Sequence, residues 1–159
     1  MYTPKVYLET SIISFMYADD APDKQQDTIK LFEEISEGRY EVYTGYNVIA
    51  ELSGTKDETL RTKLLSIVKD YEISVFPADD EIQRLADIYV AEGVIPQKYR
   101  DDAVHIATAA FYGMDFILSW NFKHIVKRKT ILMTGIINAR EGYKQIGIHS
   151  PSEVIEYDE

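Results

Sequence analysis

The sequence predicts an α/β fold, with a mainly parallel central sheet of about five strands and helices packed against it. Short apolar runs of β type alternate with helical stretches along the chain, the pattern of strands joined by crossover helices. No repeat, low-complexity tract or Pro/Gly/Ser-rich linker interrupts the alternation, so the 159 residues read as a single domain, 1–159. A chain of this length buries a substantial core without disulfides.

The first strand runs from Lys5 to Leu8, with Val6 and Leu8 as its apolar residues and Glu9 at its end. A polar loop over Ala18–Lys24 precedes a helix from about Gln25 to Glu37, in which Ile29, Phe32 and Ile35 recur at helical spacing and which Gly38 stops. Tyr40–Thr44 reads as the second strand, and Tyr46–Leu52 opens a helix that ends near Gly54. Asp57–Tyr71 is helical, with Leu60, Leu64, Ile67 and Val68 on one stripe. Ile73–Phe76 is a short third strand ended by Pro77, and Asp79–Glu92 is helical through Ile82, Leu85, Ile88 and Tyr89. Asp101–Tyr112 is a helix apolar on almost every side, so burial is expected. Phe116–Ser119 is a fourth strand, Thr130–Gln145 a helix with a weak point at Gly135, and Ile146–His149 a fifth, edge-like strand before Pro151.

Composition narrows the function. Asp and Glu number 27 against 17 Lys and Arg, a formal net charge of −10. A phosphate-bearing ligand is repelled at long range. Salt confines that repulsion to about 8 Å at physiological ionic strength, so a local basic patch still suffices for nucleic acid. Lys123, His124, Lys127, Arg128 and Lys129 form such a patch after Asn121, and Lys98 and Arg100 precede Asp102; the bland alternative is a solvated loop. Cysteine is absent, which rules out a disulfide framework and thiolate metal sites and fits a cytoplasmic location. Met1–Lys5 leads directly into an apolar run too short for a signal peptide, and no stretch is long enough to span a membrane.

Four segments place an acid or amide at the edge of an apolar element: Glu9 after the first strand, Glu51 in the helix after the second, Asp102 opening the apolar helix, and Asn121 after the fourth strand. In parallel sheets, sites form beyond the carboxyl ends of strands, and all four residues can reach that edge. Each is weak evidence alone. Asp102 reads equally as a metal ligand or as a first-turn acid facing the helix dipole, with Asp101 as N-cap candidate. Glu51 by itself reads as a solvated helix position, Glu9 as a loop acid and Asn121 as a turn former. Taken together, gathered oxygen ligands point to a hard divalent cation. Trp120 could stack a base, but a lone Trp after a strand reads first as core. His105 and His124 lack paired ligand spacing, and His105 reads as a packed, hydrogen-bonded side chain.

The segments Leu8-Glu9-Thr10-Ser11, Ile49-Ala50-Glu51-Leu52, Asp102-Ala103-Val104-His105-Ile106-Ala107-Thr108-Ala109 and Leu118-Ser119-Trp120-Asn121-Phe122 together resemble the PIN-domain family, the fold of VapC-type toxin ribonucleases. The resemblance extends from Val6 to about His149. It implies a three-layer α/β/α sandwich and an endoribonuclease dependent on Mg²⁺ or Mn²⁺. Glu9, Glu51, Asp102 and Asn121 are then the catalytic group, with Glu9 and Asp102 as primary metal ligands, Glu51 as ligand or base, and Asn121 as a water-held contact. Thr10 and Ser119 would hydrogen-bond the attacking water or a phosphate oxygen, and Lys123, Lys127 and Arg128 would bind the RNA backbone. Two positions depart from the family pattern: Glu9 stands where the family has Asp, and Asn121 where it has a fourth acid. The expected partners are single-stranded or structured RNA, a small antitoxin protein and, because twelve Tyr and six Phe exceed the needs of a small core, a second copy of the chain. The competing function is a catalytically weakened module that binds nucleic acid or protein, which the net charge and Asn121 favour.

Overall fold

The structure is a computed structural model and describes residues 2–158. Five parallel strands form one sheet in the order β3-β2-β1-β4-β5: β1 (Lys5–Leu8), β2 (Glu41–Gly45), β3 (Ser74–Phe76), β4 (Phe116–Leu118) and β5 (Gly147–His149). Helices cover both faces, completing an α/β/α sandwich: α1 (Thr10–Ser14), α2 (Pro22–Ser36), α3 (Tyr46–Ser53), α4 (Glu58–Asp70), α5 (Asp80–Ala91), α6 (Arg100–Phe111) and α7 (Arg128–Glu141). No helix among the described residues is long and apolar enough to cross a membrane.

The central strand is the first one. Val6, Tyr7 and Leu8 are buried on both faces, as a strand in the middle of a parallel sheet must be. Its register sets Val6 against Val42 on one side and Phe116 on the other. From β1 the chain steps outward to β2 and β3, then returns across β1 to place β4 and β5 on the opposite side. The crevice beyond the carboxyl ends of β1 and β4 is therefore the switch point of the sheet, where ligands of such folds bind.

Local chemistry accounts for the boundaries. Asp57 and Asp79 cap α4 and α5 through their carboxylates. Gly142, in the left-handed conformation at φ 82°, ends α7 four residues before the expected Gln145, and Gly135 does not break it. Pro22 at the first position of α2 starts that helix inside what the sequence reads as loop. α6 begins at Arg100 after the tight turn Gln97–Tyr99, so Asp101 lies within its first turn and not at the N-cap, which is Tyr99 and lacks a side-chain cap. The helix is buried from Ala103 to Ala110 and packs chiefly on α5.

Candidate metal centre

β1 ends by feeding Glu9 into the switch point. The Glu9 backbone N–H donates to the Leu118 carbonyl at 3.1 Å, carrying the β1–β4 ladder one residue further. Its side chain caps the short helix α1, accepting from the Ser11 N–H at 3.2 Å. Ser11 Oγ and Ser119 Oγ both donate to Glu9 Oε1, at 2.6 and 2.5 Å. Each serine oxygen in turn accepts a backbone N–H, Ser11 from Trp120 and Ser119 from Asn121, at 2.8 and 2.9 Å. Those bonds orient the hydroxyl protons toward Glu9. A carboxylate that is 6% exposed is thereby held by donors from α1 and from the residue after β4.

α3 and α6 supply the opposite wall. Glu51, in the second turn of α3, accepts from His105 Nε2 at 2.9 Å. His105 is fully enclosed, and its Nδ1 lies 2.8 Å from the Tyr7 hydroxyl and 3.1 Å from Asn47 Nδ2. Burial pulls the His105 pKa down, but the Glu51 hydrogen bond and the charges of Glu9, Glu51 and Asp102 outweigh it and raise it overall. Burial raises Glu51, but the hydrogen bond and charge of His105 prevail and lower it. Asp102, half-buried in the first turn of α6, is pushed up to about 6 by burial and by the charge of Glu9.

Ligand atoms of Glu9, Glu51 and His105 lie within 4.8 Å of one another. Asp102 stands beside this trio: it feels the charges of Glu9, Glu51 and His105, and the nearby Asn121 side chain favours its ionised form. The set fits a hard dication in two respects. Crowded carboxylates raise Asp102, a strain that a bound cation relieves. Thr10 lies close enough to favour the Glu51 carboxylate, yet its Oγ1 is buried without a hydrogen bond of normal geometry, leaving a polar atom to satisfy a coordinated water. His105 is already engaged at both ring nitrogens, so oxygen atoms are the available ligands.

The remaining predicted residues fall around this core. Asn121 Oδ1 accepts the His124 N–H at 2.9 Å, so its oxygen closes a turn while its side chain also reaches Asp102. Lys123, Lys127 and Arg128 are exposed. Lys98 and Lys123 converge on the Tyr99 ring at 5.7 and 5.5 Å, and that ring lies 4.2 Å from His124, so the two basic groups of the sequence are joined in space. Burial and the charges of Lys123 and Lys127 lower the His124 pKa. Trp120 is 6% exposed and donates from Nε1 to Thr28 Oγ1 at 2.9 Å; it is core and offers no stacking face. Sequence reasoning missed Ser11, Tyr7 and Asn47. Only Ser11 left a signal, two residues after an acid that ends a strand, which is the spacing of a side-chain cap.

No protein-family model matches the sequence, and no curated protein matches it. Among solved structures the fold is similar to VapBC2 from Rickettsia felis bound to a DNA fragment from their promoter, at 14% identity over 92% of this chain and 98% of that chain, with a TM-score of 0.55. It is also similar to the tyrosyl-tRNA synthetase from Aeropyrum pernix, at 13% identity over 94% of this chain, about half (52%) of that one, with a TM-score of 0.52. Identities this low speak for the fold alone, and these two neighbours show one architecture hosting different proteins. The likeness to VapBC2 supports the α/β fold of this chain.

Proposed function

We propose that the chain is a metal-dependent endoribonuclease that hydrolyses RNA phosphodiesters, with Glu9, Glu51 and Asp102 holding Mg²⁺ or Mn²⁺. The observation that carries this reading is the gathering of Glu9 and Glu51 with His105 at the switch point of a PIN-like sheet, with Asp102 near enough to feel all three charges. A bound dication polarises the phosphoryl oxygen and makes a water acidic enough to lose a proton near neutral pH. The chain's own part is positional. The two serine hydroxyls fix Glu9, and His105 fixes Glu51 from behind. With its pKa lowered, Glu51 is a weak proton acceptor, which assigns it to the ligand role over the base. Thr10 Oγ1 is the free hydroxyl that orients water, because Ser119 Oγ is already committed to Glu9. Lys123, Lys127 and Arg128 supply the rim for the RNA backbone, and a small antitoxin protein is the partner that the family resemblance implies.

The alternative, a weakened PIN-like module that binds nucleic acid or protein without cutting it, draws on the net charge of −10, on Asn121 and on the His105 ring that already occupies Glu51. One experiment separates the two. Mn²⁺ is titrated while thermal unfolding is followed, and a mixed-sequence single-stranded RNA is then incubated with the loaded protein. The ribonuclease reading expects stabilisation and cleavage, both collapsing in Asp102→Asn. Binding of RNA without cleavage at any metal concentration would establish the module instead.

A further inference from the structure

Next to Glu51 lies a cavity of about 250 Å³ that the metal centre does not use. Ala50 and Val104 give it apolar lining, Tyr46, Asn47, Gln83, Arg100 and Asp101 polar lining, and Glu51 is shared with the acidic cluster. We propose that this cavity binds one nucleobase of the RNA, that of a nucleotide next to the scissile phosphate, and so sets where the chain cuts. The proposal rests on the ribonuclease reading for its substrate but on the cavity for its chemistry.

Size comes first. Sites for drug-sized ligands run from roughly 300 to 1,000 Å³, so this one suits a single ring system and not an oligonucleotide. Charge comes second. Glu51 and Asp101 disfavour a phosphate inside the cavity, whereas an uncharged base enters without that penalty. Hydrogen bonding comes third. Gln83 Nε2 donates to the Tyr46 hydroxyl at 2.5 Å, so the Tyr46 proton is free to donate elsewhere and Gln83 keeps a carbonyl acceptor. Asp101 adds a carboxylate that accepts amino hydrogens, the donor type that base edges present. These groups stand ready before a ligand arrives. Arg100 is tied to Asp87 at 2.8 Å and to the Gln83 carbonyl at 3.3 Å, which clamps the first turn of α6 against α5. Apolar lining with donors and acceptors beside it suits the edge of a planar heterocycle.

The test uses the intact chain in two settings. In EDTA, the four ribonucleosides are titrated separately at millimolar concentration and followed by NMR shifts of the amides of α3 and α6. One base is expected to bind at least about tenfold better than the poorest, with that margin lost in Gln83→Ala and in Ala50→Trp, which fills the cavity from an exposed helix position. With Mn²⁺, cut sites on a mixed-sequence RNA are mapped, and the same base is expected beside the cut in the wild type but not in the variants. Equal or absent binding of all four nucleosides overturns the proposal, as does a cleavage preference unchanged in both variants; either leaves the ribonuclease reading standing. Selective nucleoside binding without cleavage of any RNA supports the cavity's role as a base site and defeats the ribonuclease reading alone.

Discussion

Ser119 shows how much a single hydroxyl holds. It is fully buried, donates to Glu9 and accepts from Asn121, so Ser119→Ala strips a carboxylate of one donor and orphans a backbone N–H. The expected cost is about 1–3 kcal/mol of stability, read by urea unfolding, together with weaker Mn²⁺ binding. Asn121→Asp tests the opposite change. An Asp there keeps one oxygen for the His124 turn and offers the other to the ion, so Mn²⁺ binding should tighten; an unchanged affinity in calorimetry would place Asn121 outside the ion's reach. The titrating groups set a pH dependence. Asp102 has a folded pKa of about 6 against roughly 3.9 unfolded, so the native state binds the extra proton and loses stability as pH rises through that window. His105, raised in the fold, stabilises below its unfolded value near 6.5 and gives that up as pH climbs through its folded pKa. Both have the same sign. In EDTA the chain should melt higher at about pH 5.5 than at about pH 8, with the gap narrowed in Asp102→Asn. Saturating Mn²⁺ should shrink or reverse the difference, because metal binding requires the ionised acids. Asp115, held down to about 2 first by Lys144 and then by Tyr2 and the Lys5 N–H, stays ionised across that range and does not blur the comparison.

At the element scale, Gly45 ends β2 close against Tyr7 of β1 and Asn47 of α3. A Cβ there would stand 2.7 Å from the Tyr7 hydroxyl and 2.8 Å from Asn47 Oδ1. Gly45→Ala is therefore expected to push Tyr7 and Asn47 off His105 and to cost about 1–3 kcal/mol, with a loss of metal binding that a simple packing defect elsewhere would not bring. Elements whose apolar period was clear, such as α4 and α5, could be read from the chain to within a residue or two at their ends. Glu9, Glu51 and Asp102 could be picked out as candidates because each lies within or at an edge of an apolar run. What stayed hidden was the set that supports them. Ser11, Tyr7 and Asn47 act across the sheet, and nothing local reveals that β1 pairs with both β2 and β4. α1 was hidden for another reason, since its five residues are too few to show a helical period. α7 inverts the usual rule. Thr130, Thr134 and Asn138 face inward, with Thr130 Oγ1 donating to the His124 carbonyl at 2.7 Å and Thr134 Oγ1 to the Thr130 carbonyl at 2.6 Å.

On the scale of the whole molecule, that inversion leaves Ile131, Leu132 and Ile136 on the surface, Ile136 at 68% exposure. The exposed aromatics are Tyr2, Tyr17, Phe122 and Tyr157. If the chain forms the expected homodimer, α7 is the apolar surface available to it. Ile136→Asp should then convert the dimer to monomer in analytical ultracentrifugation while leaving the melting temperature of the monomer nearly unchanged; a wild type that stays monomeric at all concentrations removes the homodimer expectation. The order of strands carries a different consequence. β1 sits at the centre, but its neighbour β4 and the Ser119 hydroxyl come more than a hundred positions later, with |i−j| of 110 between Glu9 and Ser119. During translation, the first acid leaves the ribosome long before the group that locks it in place. On the ribonuclease reading proposed above, the chain is thus disarmed while its own message is still being decoded, and becomes competent only after its last third has emerged and folded back.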